Sequence, residues 1–235
     1  GSGERLRGRY FIIATGSVPD CPQVPGLRET PYLTSDDILN LDFLPKTVVA
    51  LGGGVVACEL VQYLARMGTR ISHIQRSPRV LKEVSEQASH VIMDVFRHEG
   101  IELHAGTMLD KVEQKADGGV RVQYQYLGES RIAEGDYLFN ALGRVPAIEG
   151  LNLDAAGVDV NEAGKIAVNA NQQTSQSHIY AAGDVTGPYE IVHIAIMQGE
   201  VAAQHMLNQN PDPVNYATRT SVVFTDPQIA GAGLT

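Results

Sequence analysis

Three consecutive glycines, Gly52-Gly53-Gly54, follow the apolar run Val48-Val49-Ala50-Leu51 and lead into Val55-Val56-Ala57-Cys58-Glu59. The spacing is Gly-x-Gly-x-x-Ala, a backbone turn suited to holding the pyrophosphate of a dinucleotide. Gly52 permits a tight turn, Gly54 has no side chain to keep the backbone off a phosphate, and Ala57 is small enough for a helix to lie on the strand. The N–H groups around Val55 and Val56, with the positive end of the helix dipole, then face an anion. A bare structural turn has the same composition. Here, though, a strand precedes the glycines and a helix and second strand follow, completing a βαβ unit from Thr47 to Gln75.

The end of that second strand reads Gln75-Arg76-Ser77-Pro78-Arg79, where an NAD site normally carries an acid for the ribose hydroxyls. Gln75 does not repel a 2′-phosphate and the Arg76 guanidinium can grip one through two hydrogen bonds, which favours NADP over NAD. The alternative keeps Gln75 on a ribose hydroxyl and leaves Arg76 and Arg79 as solvated charges. Other chemistries find less support. The two cysteines, Cys21 and Cys58, have no partner motif; Cys58 reads as a small buried thiol in a helix and Cys21 as a loop residue. The seven histidines show no metal-ligand spacing, no Ser-His-Asp arrangement is visible, and His193 and His205 read as structural.

The elements that must position these residues follow from periodicity. Tyr10 to Ala14 reads as a short buried strand broken at Thr15-Gly16-Ser17, and a connection through Pro19, Pro22, Pro25 and Gly26 reads as a crossing between domains. Val84, Ala88, Val91, Ile92, Val95 and Phe96 keep helical spacing, capped by Gly100. Strands are expected at Ile101–Leu103, Lys111–Glu113, Val120–Tyr126 and Tyr137–Leu142, with a hairpin turn at Asp117-Gly118-Gly119. Further on come a strand at Ile179–Ala182, a helix around His193–Leu207 and a strand at Ser221–Phe224. Residues 1–4 read as a linker. A net charge of −9 with no basic stripe argues against nucleic-acid binding, and no apolar run approaches the ~20 residues that span a bilayer. A cytoplasmic protein is the expectation.

Four separated motifs now stand in order: Ala14-Thr15-Gly16, the glycine turn with Glu59, Ala141-Leu142-Gly143-Arg144, and Ile179-Tyr180-Ala181-Ala182-Gly183-Asp184. With them the chain resembles the pyridine nucleotide-disulfide oxidoreductases. The segments VVACEL and SVVFTDPQIAGAG look closest to the branch holding mercuric reductase and dihydrolipoamide dehydrogenase. The resemblance implies an α/β fold in which a Rossmann-like NAD(P)-binding domain (32–150) is inserted in a partial FAD-binding domain (1–31 and 151–210), followed by the start of an interface domain (211–235). It implies that Asp184 takes a flavin ribityl hydroxyl, unless it merely caps the next helix. Thr15 and Gly16 would lie where the chain nears the flavin nucleotide, with Gly143 and Arg144 as the family's Gly-Arg; a surface ion pair is the alternative for Arg144. Glu59 would sit beside the nicotinamide as the candidate catalytic residue, or else be a carboxylate favoured near a helix N-terminus. Val55 would leave the nicotinamide pocket more open than a bulky gate does.

Family features without a counterpart in this chain are the N-terminal adenylate turn for FAD, the redox cysteine pair and the full interface domain. The expectation is the central portion of an FAD-dependent NAD(P)H oxidoreductase, homodimeric in its parent form, that passes a hydride to flavin and on to a disulfide, metal ion or other acceptor. The alternatives are a nucleotide-binding module without turnover and, less favoured, a scaffold that has kept only the fold.

Overall fold

The computed structural model describes residues 5–233; the linker expected at residues 1–4 lies outside them. The chain opens with β1 (Phe11–Ile13) and β2 (Ser17–Pro19), then α1 (Ser35–Leu39) and the unit β3 (Thr47–Leu51), α2 (Val55–Arg66), β4 (Arg70–Gln75). Next come α3 (Glu86–His98), β5 (Glu102–Ala105), β6 (Met108–Gln114), β7 (Val120–Tyr126), β8 (Glu129–Gly135) and β9 (Tyr137–Asn140). The chain returns through β10 (Arg144–Pro146), α4 (Leu153–Ala156), β11 (Ile179–Ala181) and α5 (Val192–Met206), and closes on β12 (Thr220–Val223) and β13 (Ile229–Ala232). It divides into two units. One holds Pro19–Gly143 and Val222–Ala230; the other holds the segment up to Val18, Arg144–Ser221 and the segment from Gly231.

The first unit is built on a parallel sheet of order β5-β4-β3-β9. β3 is apolar throughout because both its faces are covered. Val48 and Ala50 pack with Cys58, Val61 and Leu64 of α2 and Ile92 and Phe96 of α3. Val49 and Leu51 point the other way, onto Val112, Val120, Val122 and Tyr124 of the antiparallel sheet β6-β7-β8. The hairpin between β6 and β7 forms where expected: the Asp117 carboxylate accepts from Gly119 N at 3.0 Å and Gly118 takes φ +89°. The charged strand β8, which buries Ala133 alone, was not anticipated, because an edge strand with one buried residue shows no apolar period. α3 buries Ile92 and Phe96, but Val91 is half exposed, so the apolar stripe is narrower than the sequence suggests. Gly100 ends it at φ +81°, with Gly100 N bonded to Arg97 O and Ile101 N to Phe96 O, the double closure of a Schellman cap. The strand expected at Tyr137–Leu142 stops at Asn140, where the chain turns. The Pro-rich stretch is more than a connection. Leu27 is fully buried under the antiparallel sheet, and Pro25 O accepts from Val112 N.

In the second unit β1 pairs in parallel with β11, Ile12 opposite Tyr180, and Leu153, Val158, Ile166, Ile179 and Val185 form its core. Phe11 and Ile12 are 44% and 48% exposed, against the expectation of a buried strand. The exposure belongs to β1 alone: its partner residues in β11, Ile179, Tyr180 and Ala181, are all buried.

His73 links the core of the first unit to its turn. It is fully buried in β4 against Phe96, its Nε2 donates to Gly52 O, and Nδ1 has no partner among the described residues. Burial holds its pKa down, from 6.5 to about 4, with the Gly52 bond opposing in part. Because the folded pKa lies below the unfolded one, the unfolded chain takes up the proton first as pH falls. Stability is therefore intact above pH 6.5 and declines by about 1.4 kcal/mol per unit down to pH 4, roughly 3 kcal/mol in all. Urea unfolding at stepped pH should show this decline, and His73→Gln should flatten it.

Candidate functional sites

At the first site, β3 ends at Leu51 and the backbone reverses over three glycines. Gly52 takes φ +111°, and a Cβ there would lie 2.1 Å from Ala141 O, so a side chain is excluded twice. A Cβ on Gly53 would come within 2.6 Å of the buried Gln75 side chain. Gly54 differs: its backbone is extended at φ −78°, and a Cβ would meet nothing within 4 Å. It is also the N-cap of α2, and no side chain caps that helix. The first N–H groups of α2, at Val55 and Val56, thus have no intrahelical acceptor. Ala57 is fully buried against the strand, as expected, and Cys58 beside it is a buried thiol pushed well up in pKa by desolvation.

At the far end of β4, Gln75 Nε2 reaches Arg79 O at 3.4 Å and Arg76 is exposed. Arg79 is committed to the loop: its guanidinium donates to Leu81 O, Val84 O and Lys82 O at 3.2, 3.1 and 2.8 Å. Glu59, one turn into α2, is half-buried and its Oε1 accepts from Phe224 N at 2.8 Å. Among the described residues, Oε2 carries no hydrogen bond. Asn140, at the end of β9, accepts from Leu142 N and donates to Asp20 O, which shapes the Ala141-Leu142-Gly143 turn.

The second site gathers three motifs that are far apart in sequence. Arg144 donates from Nε to Ser17 Oγ and from Nη2 to Ser17 O, both at 2.7 Å. Ser17 Oγ in turn donates to Asp184 Oδ2 at 2.7 Å. Arg144 is therefore no surface ion pair, and Asp184 does not cap a helix, since α5 begins at Val192 with Ile191 as its cap. Ala14 and Thr15 are exposed beside this relay, and Gly16 turns at φ +71°. The Gly183 turn, at φ +83°, is clamped by the fully buried Gln198: Oε1 accepts from Gly183 N at 2.7 Å and Nε2 donates to Gly187 O at 2.9 Å. His205 is bonded to Tyr180 through Nδ1 at 2.8 Å.

A family profile described as pyridine nucleotide-disulphide oxidoreductase matches residues 1–199. The chain belongs to that family. It is similar to mercuric reductase of Bacillus cereus, 37% identical over 235 residues, covering 100% of this chain and 37% of that protein. It is similar also to dihydrolipoyl dehydrogenase of Chlamydia muridarum, 34% identical over 231 residues, covering 97% of this chain and 48% of that one. Among solved structures, LpdA from Mycobacterium tuberculosis superposes with a TM-score of 0.84 at 28% identity, over 95% of this chain and 48% of that chain. The fold is thus the FAD/NAD(P)-binding α/β fold of the family. The chain spans less than half the length of these relatives.

Sequence reasoning did not single out Ser17, Gln198 or His73. Ser17 could have been found as the hydroxyl directly after Thr15-Gly16; the other two are polar residues inside apolar elements and carry no motif. The glycine turn yields a contrast between neighbours. Gly52→Ala should destabilise the chain by on the order of 3 kcal/mol through positive φ and the Ala141 clash. Gly54→Ala, which meets nothing, should leave the melting temperature nearly unchanged while weakening any nucleotide held there, read by thermal unfolding and titration calorimetry.

Proposed function

We propose that this chain carries the pyridine-nucleotide site and part of the flavin site of an NAD(P)H-dependent flavoprotein oxidoreductase. In this reading residues 32–150 form the NAD(P)-binding domain, 1–31 and 151–210 parts of the FAD-binding domain, and 211–235 the start of an interface domain. The observation that carries it is the Gly52–Gly54 turn. The first glycine is required by the fold, whereas the third has no structural need to lack a side chain. A residue that the fold does not need bare, at the uncapped start of a helix, fits a bound phosphate.

The roles of the chain's own groups follow. The N–H groups at Gly53, Gly54, Val55 and Val56 receive the pyrophosphate. Gln75 and Arg76 receive the adenosine ribose, and the exposed Arg76 favours the 2′-phosphate of NADP. Arg79, spent on loop carbonyls, lends it no help. Glu59 offers Oε2 to the nicotinamide carboxamide and fixes which ring face is presented. For FAD the fit rests on Asp184, whose Oδ2 is already polarised by Ser17 and which can accept from a ribityl hydroxyl. Ser17 and Arg144 hold that carboxylate in place, and the turns at Gly16 and Gly183 let the backbone approach. Bound flavin would supply the two-electron acceptor for a hydride from NAD(P)H. In the whole protein the electrons would pass on to a disulfide, a metal ion or another acceptor, as the relatives' names suggest. Homodimeric assembly and a cytoplasmic setting go with this reading; among the described residues no helix is long and apolar enough to cross a membrane.

Titration calorimetry with NADPH and NADH tests the reading. NADPH should bind several-fold more tightly, and Arg76→Ala should weaken NADPH by about tenfold while leaving NADH unchanged. Binding of neither nucleotide would remove the reading. Dye reduction by NADPH with and without added FAD separates a catalytic chain from a module that binds without turnover.

A further inference from the structure

One face of α2 is devoted to a segment distant in sequence. Glu59, Gln62 and Arg66 recur at helical spacing on that face, and each contacts residues 224–226. Gln62 does so with its whole amide. Its Oε1 accepts from Asp226 N at 2.8 Å and its Nε2 donates to Asp226 O at 2.9 Å, so the side chain pairs with that residue as a neighbouring strand would. Gln62 is 3% exposed, and the same Nε2 lies 3.1 Å from Glu99 Oε2. Arg66 binds both Glu99 and the Asp226 carboxylate. Val223 and Thr225 on either side of Phe224 are buried, the former among the residues of α2 and α3. Phe224 itself is 68% exposed, so its ring does not hold the segment down. Its N–H nevertheless points at Glu59.

We propose that Gln62 is a positioning residue for the nicotinamide end of the site: by pinning Asp226 it fixes the Phe224 N–H, which orients the Glu59 carboxylate and leaves Oε2 for the carboxamide. This rests on the reading of Glu59 given above. The chemistry is specific. A carboxylate free to rotate on its helix would offer either oxygen in many directions, whereas one oxygen satisfied by a fixed amide leaves a single aimed acceptor. Gln62 touches neither the glycine turn nor Arg76, so its influence should reach the ring and not the phosphates.

The test compares the 235-residue chain with its Gln62→Met variant, which keeps length and apolar volume in α2. Two probes are titrated by calorimetry: NADPH and 2′-phospho-ADP-ribose, which lacks the nicotinamide ring. The expected result is an about five- to tenfold loss for NADPH with less than about a twofold change for the ring-less probe. Glu59→Ala should show the same selectivity, and Glu59→Ala/Gln62→Met should lose no more than Glu59→Ala alone. Equal losses on both probes, no loss on either, or additive losses in the double variant would overturn the proposal. If wild type binds both probes equally, or neither, the reading of Glu59 itself fails instead. Should Gln62→Met not fold, Arg66→Met releases Asp226 from the solvent side and should give a smaller loss of the same selectivity; no selective loss there would also overturn it.

Discussion

The first unit depends on one close crossing. Where β3 leaves the sheet, the Gly52 backbone passes so near Ala141 O that no side chain fits, and the buried His73 holds the Gly52 carbonyl from below. That arrangement ties together the ends of β3, β4 and the turn after β9, and from it α2 sets out with its first amides unspent. The burial of β3 on both faces makes the crossing rigid: helices lie on one side and the antiparallel sheet on the other, so the strand end cannot shift to relieve a clash.

The two sites reach readiness by different means. The glycine turn is made of backbone, and its main side-chain supports, Gln75 and His73, act by packing and by holding a carbonyl. The Ser17–Arg144–Asp184 relay is made of side chains, drawn together by the parallel pairing of β1 with β11 and by the meeting of β2 with β10. The turns beside the relay are shaped by side chains closer in sequence: Gln198 for the Gly183 turn, Asn140 for the turn before Arg144.

What could be read from sequence follows from this contrast. Gly52 and Ala57 are recognisable because steric demands limit residue type there, Gly54 because it completes the same Gly-x-Gly-x-x-Ala spacing, and the βαβ pattern around them is strongly periodic. Ser17 stands out in sequence only as a hydroxyl next to Thr15-Gly16; its role exists through Arg144 and Asp184, more than a hundred residues away. Gln62 and Gln198 read as ordinary polar positions in helices; only the folded chain shows them buried, with their amides bonded to distant backbone groups. The exposure of Phe11 and Ile12 was invisible for a related reason: an apolar strand announces that it can be covered, not that it is. β8 failed in the opposite sense, a charged strand held in place by its pairing with β7 and by Ala133.

The loop after β4 assigns its two arginines to different tasks. Arg79 has its guanidinium bound to three carbonyls of its own loop, whereas Arg76, three positions earlier, stands in solvent. The shape of the loop therefore does not depend on residue 76. Because Arg76 is exposed and takes no part in holding the loop, a change of charge there carries little folding penalty. The glycine crossing beneath it has no such latitude, since Gly52 admits no side chain at all.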